Sequence, residues 1–379
     1  MLGAGFGVYV HWPFCLAKCP YCDFNSHVSR AVDDQAWRSA LIAELTHLRS
    51  LTGQRRVETV FFGGGTPSLM PPQTVGAILD AIGALWSYAP APEVTLEANP
   101  TSVEAAKFRA YARAGVNRIS MGVQALDDAD LKALGRMHSA AEARAAFDIA
   151  RSAFERVSFD LIYARSGQTM ADWEAELGEA LEMAIDHLSL YQLTIEEGTR
   201  FFDLHEIGRL ITPSSDTAAD MYELTQAMTE AAGMPAYEIS NHARPGAESR
   251  HNLIYWRSGE WAGAGPGAHG RIDVNGQRMA TEAIRDPTAW LASVQARGHG
   301  VSTQEPVSAN DIASEYLLMA MRLGEGADLQ RFHRAGGEID QPRLARLLDQ
   351  KLLEQNGDIL KAAPEGRLVL NHLLAEITA

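Results

Sequence analysis

Cysteine is scarce in this chain, and long apolar runs are missing. Three of 379 residues are cysteine, and no stretch approaches the ~20 consecutive apolar residues of a membrane span. The opening residues have no basic segment, long apolar segment or cleavage site, so no signal peptide is expected. An odd cysteine count without a mark of export argues against a disulfide framework. Basic residues are also in deficit, 33 Lys and Arg against 48 Asp and Glu, for a formal net charge of −15. That balance argues against general affinity for nucleic-acid backbones. It also disfavours a polybasic membrane contact, leaving at most peripheral membrane association. Reduced thiols and no export signal predict a cytoplasmic protein. Low-complexity tails are missing too, whereas the 46% hydrophobic content is ample for a sizeable core.

The few cysteines stand together. Cys15, Cys19 and Cys22 form C-x3-C-x2-C, directly after the apolar run Gly7-Val8-Tyr9-Val10 and the turn His11-Trp12-Pro13-Phe14. Thiolates are the usual protein ligands of iron–sulfur clusters, and a structural cubane takes four of them. Three thiolates on one loop can hold three irons of a [4Fe-4S] cluster and leave the fourth open to a small molecule. A structural zinc site is the competing reading. It needs a fourth ligand, such as His11 or His27, and its cysteines more often come as two separated pairs.

The first two hundred residues alternate strands with amphipathic helices. The strand pattern predicts Gly7–Val10, Thr59–Phe62, Val94–Glu97, Arg118–Met121, Val157–Ile162 and Leu188–Leu193. Between them the spacing predicts helices over Asp33–Leu51, Pro72–Trp86, Val103–Ala114, Ala140–Ala153 and Ala171–Ala184, with N-caps at Asp33 or Asp34 and left-handed glycine caps at Gly53 and Gly115. Repeated strand–helix units imply a parallel sheet with helices outside, and six of them suit an α/β fold of the open, partial (β/α)6 barrel type. A helix is expected over Thr217–Ala232, and 241–270 reads as irregular. From Ala309 the pattern is helix, turn, helix and a short hairpin (Ala313–Leu323, Gln341–Leu353, Gly357–Leu370), a small winged-helix-like module that is not basic and so does not read as a DNA binder. It is expected to cover or support the barrel mouth. The division is therefore 1–235 for the barrel, 236–305 for the irregular segment and 306–379 for the C-terminal domain.

Polar and glycine-rich residues fall at successive strand ends. The cysteine loop follows the first strand, Gly63-Gly64-Gly65-Thr66-Pro67 the second, and Glu97-Ala98-Asn99-Pro100 closes the third. Gly122-Val123-Gln124 closes the fourth, Asp160 lies in the fifth, and Gln192 and Thr194 close the sixth. Active sites of parallel barrels gather at that end because the βα loops converge there. The glycine run lacks the Lys-Ser/Thr of a phosphate loop, which disfavours nucleoside triphosphates. A buried carboxylate at Glu97 needs a positive partner, either a ligand or a nearby arginine.

Y-V-H-W-P-F-C-L-A-K-C-P-Y-C-D-F-N-S-H resembles the opening of a radical S-adenosylmethionine (SAM) protein. It is most similar to the group containing oxygen-independent coproporphyrinogen III oxidase and the heme chaperones related to it, and the resemblance runs along nearly the whole chain. The resemblance implies a partial barrel, a [4Fe-4S] cluster on Cys15, Cys19 and Cys22, and SAM chelated at the open iron, where an electron from the cluster splits it to a 5′-deoxyadenosyl radical. It places Gly64, Gly65 and Thr66 at the amino group of SAM and Glu97 in E-A-N-P against its positive charge. S-M-G-V-Q-A-L-D-D-x-x-L-x-x-L-G-R-x-H places Gln124 and Arg136 at SAM, with Arg136 suited to a carboxylate. Without the motif Arg136 would read as a solvated helix-end residue. Asp160 in F-D-L-I-Y matches a ribose-binding aspartate. Ala164-Arg165-Ser166-Gly167-Gln168 departs from the family's usual Gly-Leu-Pro-Gly-Gln, which puts the shape of that loop in question. Tyr9 and Tyr21 match SAM-proximal aromatics, Tyr21 beside the adenine, although both residue types also suit a core.

Two further stretches stand out. Gly263-Ala264-Gly265-Pro266-Gly267-Ala268 has a dinucleotide-loop look but carries a proline and lacks a clear strand–helix context, so it reads as a turn near the barrel mouth. In His251-Asn252-Leu253-Ile254-Tyr255-Trp256, a helix would put His251 and Tyr255 on one face. From the residues alone this is a hydrogen-bonded core histidine. The resemblance raises the alternative of an axial heme ligand at His251. Phe24 stands where the oxidase has a further cysteine, and fourteen residues precede Cys15 where the oxidase has a longer extension. Both differences point to the heme-chaperone branch, with heme as cargo and heme-accepting proteins, among them those of a respiratory chain, as expected partners. A SAM-radical coproporphyrinogen dehydrogenase and another radical SAM enzyme such as a C-methyltransferase are the alternatives.

Overall fold

The structure, a computed structural model, describes residues 4–29 and 31–378. Six strands run parallel in sequence order: β1 (Phe6–Trp12), β2 (Arg56–Gly64), β3 (Ser87–Ala98), β4 (Arg118–Gln124), β5 (Arg156–Tyr163) and β6 (His187–Gln192). All six expected strands are present; the first five are longer than their apolar runs, and the sixth keeps its length but starts one residue earlier, at His187. The barrel is open, because β1 pairs on its other side with β8 (Glu260–Ala264) and β6 pairs with a short antiparallel strand, β7 (Asn241–Ala243).

Strand alternation decides what the barrel encloses, since successive side chains point to opposite faces. In β1, Val8, Val10 and Trp12 are buried in the main core, and Trp12 packs on Trp37 of the first helix with ring centroids 5.8 Å apart. Tyr9 and His11 share the other face and bond to each other. In β3 to β5 the outward residues are Val94, Leu96, Ile119, Met121, Val157 and Phe159, all in that core. The inward ones include Glu97, Gln124 and Asp160, so the lining that reads as polar at each strand end is the other half of an apolar pattern.

The helices form as their caps dictate. Asp33 caps the helix Asp34–Thr52 by accepting from Ala36 N, and Ser139 caps Ala140–Ala153 in a capping box with Glu142. Gly115 ends its helix in the left-handed region, whereas Gly53 sits at φ 63°, ψ −164°, a glycine-only conformation outside the expected left-handed cap. The helix expected over Val103–Ala114 is broken at Ala106-Lys107 into two pieces.

The stretch 241–270, expected to be irregular, is structured. It holds β7, the helix Arg250–Trp256, β8 and the first residues of β9 (His269–Val274), which with β10 (Gln277–Ala283) and β11 (Val301–Pro306) extend the sheet to eleven strands. The strand signal is diluted in the sequence because Gly263 and Gly270 stand where strand pairing leaves no room for a side chain, while Gly265 and Gly267 face His11 and Asn25 at close range. A Cβ at Gly263 would lie 2.1 Å from His269 O.

The C-terminal residues form a separate core around Leu317, Phe332, Leu344 and Leu373, with a three-stranded sheet and short helices. The expected position at the mouth is not observed. Arg257 pairs with Glu325 at 2.7 Å, Arg271 with Glu315 at 2.7 Å, and Gly324 N donates to Tyr237 O. These contacts brace the end of the barrel where the strands begin. Among the described residues no helix is long and apolar enough to cross a membrane.

Candidate functional site

One cleft opens at the C-terminal ends of β1 to β6. Its walls include Cys15, Cys19, Cys22, Tyr21, Gly64, Gly65, Thr66, Glu97, Gln124, Arg136 and Asp160. Eleven of the thirteen candidate residues are thus brought together. Tyr9 and His251 are not on the wall.

Each thiol has a polar neighbour. Thr66 Oγ1 donates to Cys15 Sγ at 3.3 Å, Arg136 Nη1 donates to Cys19 Sγ at 3.4 Å, and Ser26 Oγ lies 3.8 Å from Cys22 Sγ. Hydroxyl and guanidinium donors at sulfur stabilise thiolates; burial, by contrast, raises the Cys15 thiol, against the Thr66 hydrogen bond. Among the described residues no three His, Cys, Asp or Glu side chains converge as ligands for a single metal ion.

Packing holds the cysteine loop from three sides. A Cβ at Gly65 would lie 2.8 Å from Phe14 O and one at Gly135 2.7 Å from Pro20 Cδ. A Cβ at Gly64, at φ 114°, would strike the His11 ring at 2.5 Å. The glycines are thus required by the loop they pack against, in addition to any ligand. On the third side, Asn25 Nδ2 donates to Pro266 O and Arg285 O, both at 2.9 Å. The glycine-rich turn at 263–268 is therefore a brace for the cysteine loop, and buried Glu44 holds that turn by accepting from Gly265 N at 2.6 Å.

The carboxylates line the inner wall. Glu97 accepts from Gly64 N at 3.2 Å, and among the described residues no cation acts on it. Burial pushes its pKa up to about 8, Asp160 adds to the rise, and the Gly64 bond opposes it. Asp160 accepts from Gln124 Nε2 at 2.8 Å and Val123 N at 3.0 Å. Burial lifts it to about 6 against the pull of Arg136. Gln124 makes its bond from φ 73°, a left-handed conformation that is uncommon outside glycine and recurs at functional sites.

Arg136 is buried rather than solvated. Its Nη2 donates to Asn99 Oδ1 and Gly122 O, both at 2.6 Å, while its Nε is buried and has no partner among the described residues. Asn99 also donates to Thr66 Oγ1 at 3.3 Å, joining the third strand end to the glycine loop. Sequence reading passed over Asn99, although its place two residues after Glu97 in E-A-N-P was the available signal. Tyr21 lies on the wall and packs on Phe201, with centroids 6.1 Å apart.

Beneath the cleft, Tyr9 stacks on Phe61 and its hydroxyl lies 3.0 Å from His11 Nδ1. His11 Nε2 lies 3.0 Å from Asn25 O, so Tyr9 touches the site through the cysteine loop. His251 is 1% exposed. Its Nδ1 is 2.6 Å from Thr59 Oγ1 and its Nε2 2.6 Å from Tyr255 OH, and burial lowers its pKa to about 3. This is the geometry of the hydrogen-bonded core histidine, with the helix Arg250–Trp256 serving as a floor to the barrel.

The departure at Ala164–Gln168 is also explained. Ala164 adopts φ 56°, and Arg165 is buried between Asp130 at 2.6 Å and Glu176 at 2.8 Å. Gln168 Nε2 shares Glu176. The ion pairs hold a turn that glycine would adopt without strain.

Residues 9–179 match the radical SAM superfamily and residues 307–369 the HemN C-terminal domain. The mitochondrial radical S-adenosyl methionine domain-containing protein 1 of Bos taurus is 40% identical, over 98% of this chain and 86% of its own. The heme chaperone HemW of Mycobacterium tuberculosis is 37% identical, over 97% of this chain and 94% of its own. The chain belongs to the HemW group of radical SAM proteins. In the same fold is coproporphyrinogen III oxidase (HemN) of Escherichia coli, with a TM-score of 0.82, 20% sequence identity, and coverage of 99% of this chain and 90% of that one. As a member of the HemW group, the chain combines the two matched regions with the open sheet described above.

Proposed function

We propose that this protein is a heme chaperone of the HemW kind, which binds heme and passes it to acceptor proteins while carrying a [4Fe-4S] cluster with exchangeable SAM. The observation that carries the proposal is the single cleft that gathers the three thiols, Gly64, Gly65, Glu97, Gln124, Arg136 and Asp160 in a chain 37% identical to a HemW. Cys15, Cys19 and Cys22 would hold three irons and leave one open. The unpaired Glu97 carboxyl suits the positive charge of SAM, the orphan Nε of Arg136 suits its carboxylate, and Asp160 with Gln124 suits the ribose hydroxyls. Bound there, cluster and SAM supply one-electron chemistry.

The chain's own residues prepare for that load. Arg136 supplies a permanent positive charge at Cys19, Thr66 orients Cys15, and the buried carboxyl of Glu97 gives up its proton when a cation arrives beside it. Phe24 occupies the oxidase's extra-cysteine position and stands 61% exposed at the cleft mouth. Among the described residues the cationic side chains on the cleft wall are Lys18 and Arg136, since burial and Arg136 lower the His138 pKa to about 4 and leave it neutral. A porphyrinogen with four carboxylates needs more, which supports binding and transfer over oxidative decarboxylation. A cytoplasmic setting with acceptors among heme proteins of a respiratory chain fits this reading.

The test is anaerobic reconstitution followed by heme titration and product analysis with coproporphyrinogen III, SAM and reductant on one sample. Heme binding with no vinyl product is expected. Stoichiometric protoporphyrinogen would overturn the proposal.

A further inference from the structure

Leu16, Phe24 and Met137 are 48%, 61% and 70% exposed, and all three stand on the wall of the cluster cleft. Scattered exposed apolar residues are ordinary, but a group around one opening marks a binding surface. Leu16 and the exposed Lys18 belong to the loop between Cys15 and Cys19, and Phe24 follows Cys22 by two residues. Met137 comes from the facing side. Its neighbour Arg136 is bonded to Cys19, its neighbour His138 lies 3.1 Å from Val123 O through Nε2, and Gly135 abuts Pro20. The turn that carries Met137 is therefore fixed against the cysteine loop, with the thioether at the rim.

A ligand for this collar has a broad apolar face, an anionic edge for Lys18 and a use for a thioether. Heme has all three: an apolar macrocycle, two carboxylates and an iron that accepts methionine sulfur. His251 offers no such site, since both ring nitrogens are bonded within the barrel floor. We propose that heme docks across the mouth of the cluster cleft, with its macrocycle on Leu16, Phe24 and Met137, a carboxylate at Lys18 and the Met137 thioether as an iron ligand. The inference rests on the heme-chaperone reading and deepens it. It places cargo and SAM behind one opening, so bound heme slows the exchange of SAM.

The experiment is anaerobic titration of hemin into the cluster-reconstituted full chain, read by absorption and magnetic circular dichroism. Wild type is compared with Met137→Leu, Lys18→Glu and the double variant Leu16→Ser/Phe24→Ser, all changes at exposed positions that leave the core intact. Met137→Leu keeps the apolar area and removes the sulfur, so its heme spectrum changes axial-ligand signature. The double variant loses apolar contact and binds about tenfold or more weakly. Lys18→Glu also binds more weakly, with an effect that fades at high salt. Wild-type affinity and spectrum in all three variants would overturn the inference, and that is the outcome expected of a collar built for an acceptor protein instead. A wild-type protein that binds no heme would fell the heme-chaperone reading itself, and this inference with it.

Discussion

Arg136 reaches from the turn after the helix Asp128–Ala133 to Cys19, its Nη1 3.4 Å from the sulfur, while its Nη2 bonds Asn99 and Gly122. One guanidinium thus ties the ends of β3 and β4 to the cysteine loop. Lysine keeps the charge but is a point donor without the planar fork. Arg136→Lys is expected to retain most of the cluster, to shift its reduced EPR spectrum, and to weaken SAM binding by about tenfold or more, in line with ~1.5–3 kcal/mol for a hydrogen bond to a charged group. SAM binding measured by its perturbation of the EPR spectrum checks this. Unchanged affinity would remove Arg136 from the SAM site.

Gly65 faces backbone rather than a movable side chain, so Gly65→Ala must displace the Pro13-Phe14 segment that leads into Cys15. Its expected effect is a large loss of iron per chain after reconstitution. Gly178→Ala is the control, since a Cβ there has nothing within 4 Å and the position is helical. That variant should keep full iron and gain about 0.5–1 kcal/mol of stability. Iron and sulfide assays with thermal melts give both readouts, and equal iron in the two variants would refute the bracing role of Gly65.

Much of the barrel was legible because alternation and capping are local. The outward Val, Ile and Phe of each strand and the cap at Asp33 can be read from neighbours in sequence, and inward Glu97 and Asp160 then follow by parity. The resemblance supplied Arg136, whose burial no local pattern reveals. What stayed hidden depends on contacts across long separations. Asn25 meets Pro266, and Gly65 meets Pro13, only after the sheet closes around them. The stretch 241–270 reads as irregular because its glycines answer to packing partners rather than to strand propensity. The C-terminal module was misplaced for the same reason, since half-buried arginines such as Arg257 do not declare their partners in sequence.

His251 is neutral and buried, with its pKa lowered to about 3 by burial against a usual value of 6.5. A depressed histidine leaves the folded state unprotonated while the unfolded chain gains a proton. Stability from this group is present above pH 6.5 and is lost as pH falls toward 3, at up to about 1.4 kcal/mol per pH unit. His251→Gln, which cannot take up a proton, is expected to lower stability at neutral pH by loosening the Thr59–Tyr255 bridge, while flattening the acid limb of the stability curve. Urea unfolding of the cluster-free protein between pH 4 and pH 7.5 measures both. Heme bound by His251→Gln should keep the wild-type axial spectrum; its loss would return the ligand role to His251.

Glu97 behaves in the opposite sense. Burial lifts its pKa from 4.5 to about 8, with Asp160 adding to the rise, so between those values the folded protein holds a proton that the unfolded chain has released. Stability of the cluster-free protein therefore falls as pH rises from 4.5 to 8, with this group contributing up to about 1.4 kcal/mol per pH unit. Glu97→Gln stays neutral throughout and should lose that contribution, making it less sensitive to alkali than wild type. The same substitution removes the negative charge that faces the ligand, so the variant gains stability without SAM and loses affinity for it. Urea midpoints across pH 5–8.5 and SAM titration of the reconstituted protein test the two halves. A Glu97→Gln protein with the wild-type pH slope would show that the carboxyl is already ionised at neutral pH, and one with wild-type SAM affinity would place the positive end of SAM elsewhere in the cleft.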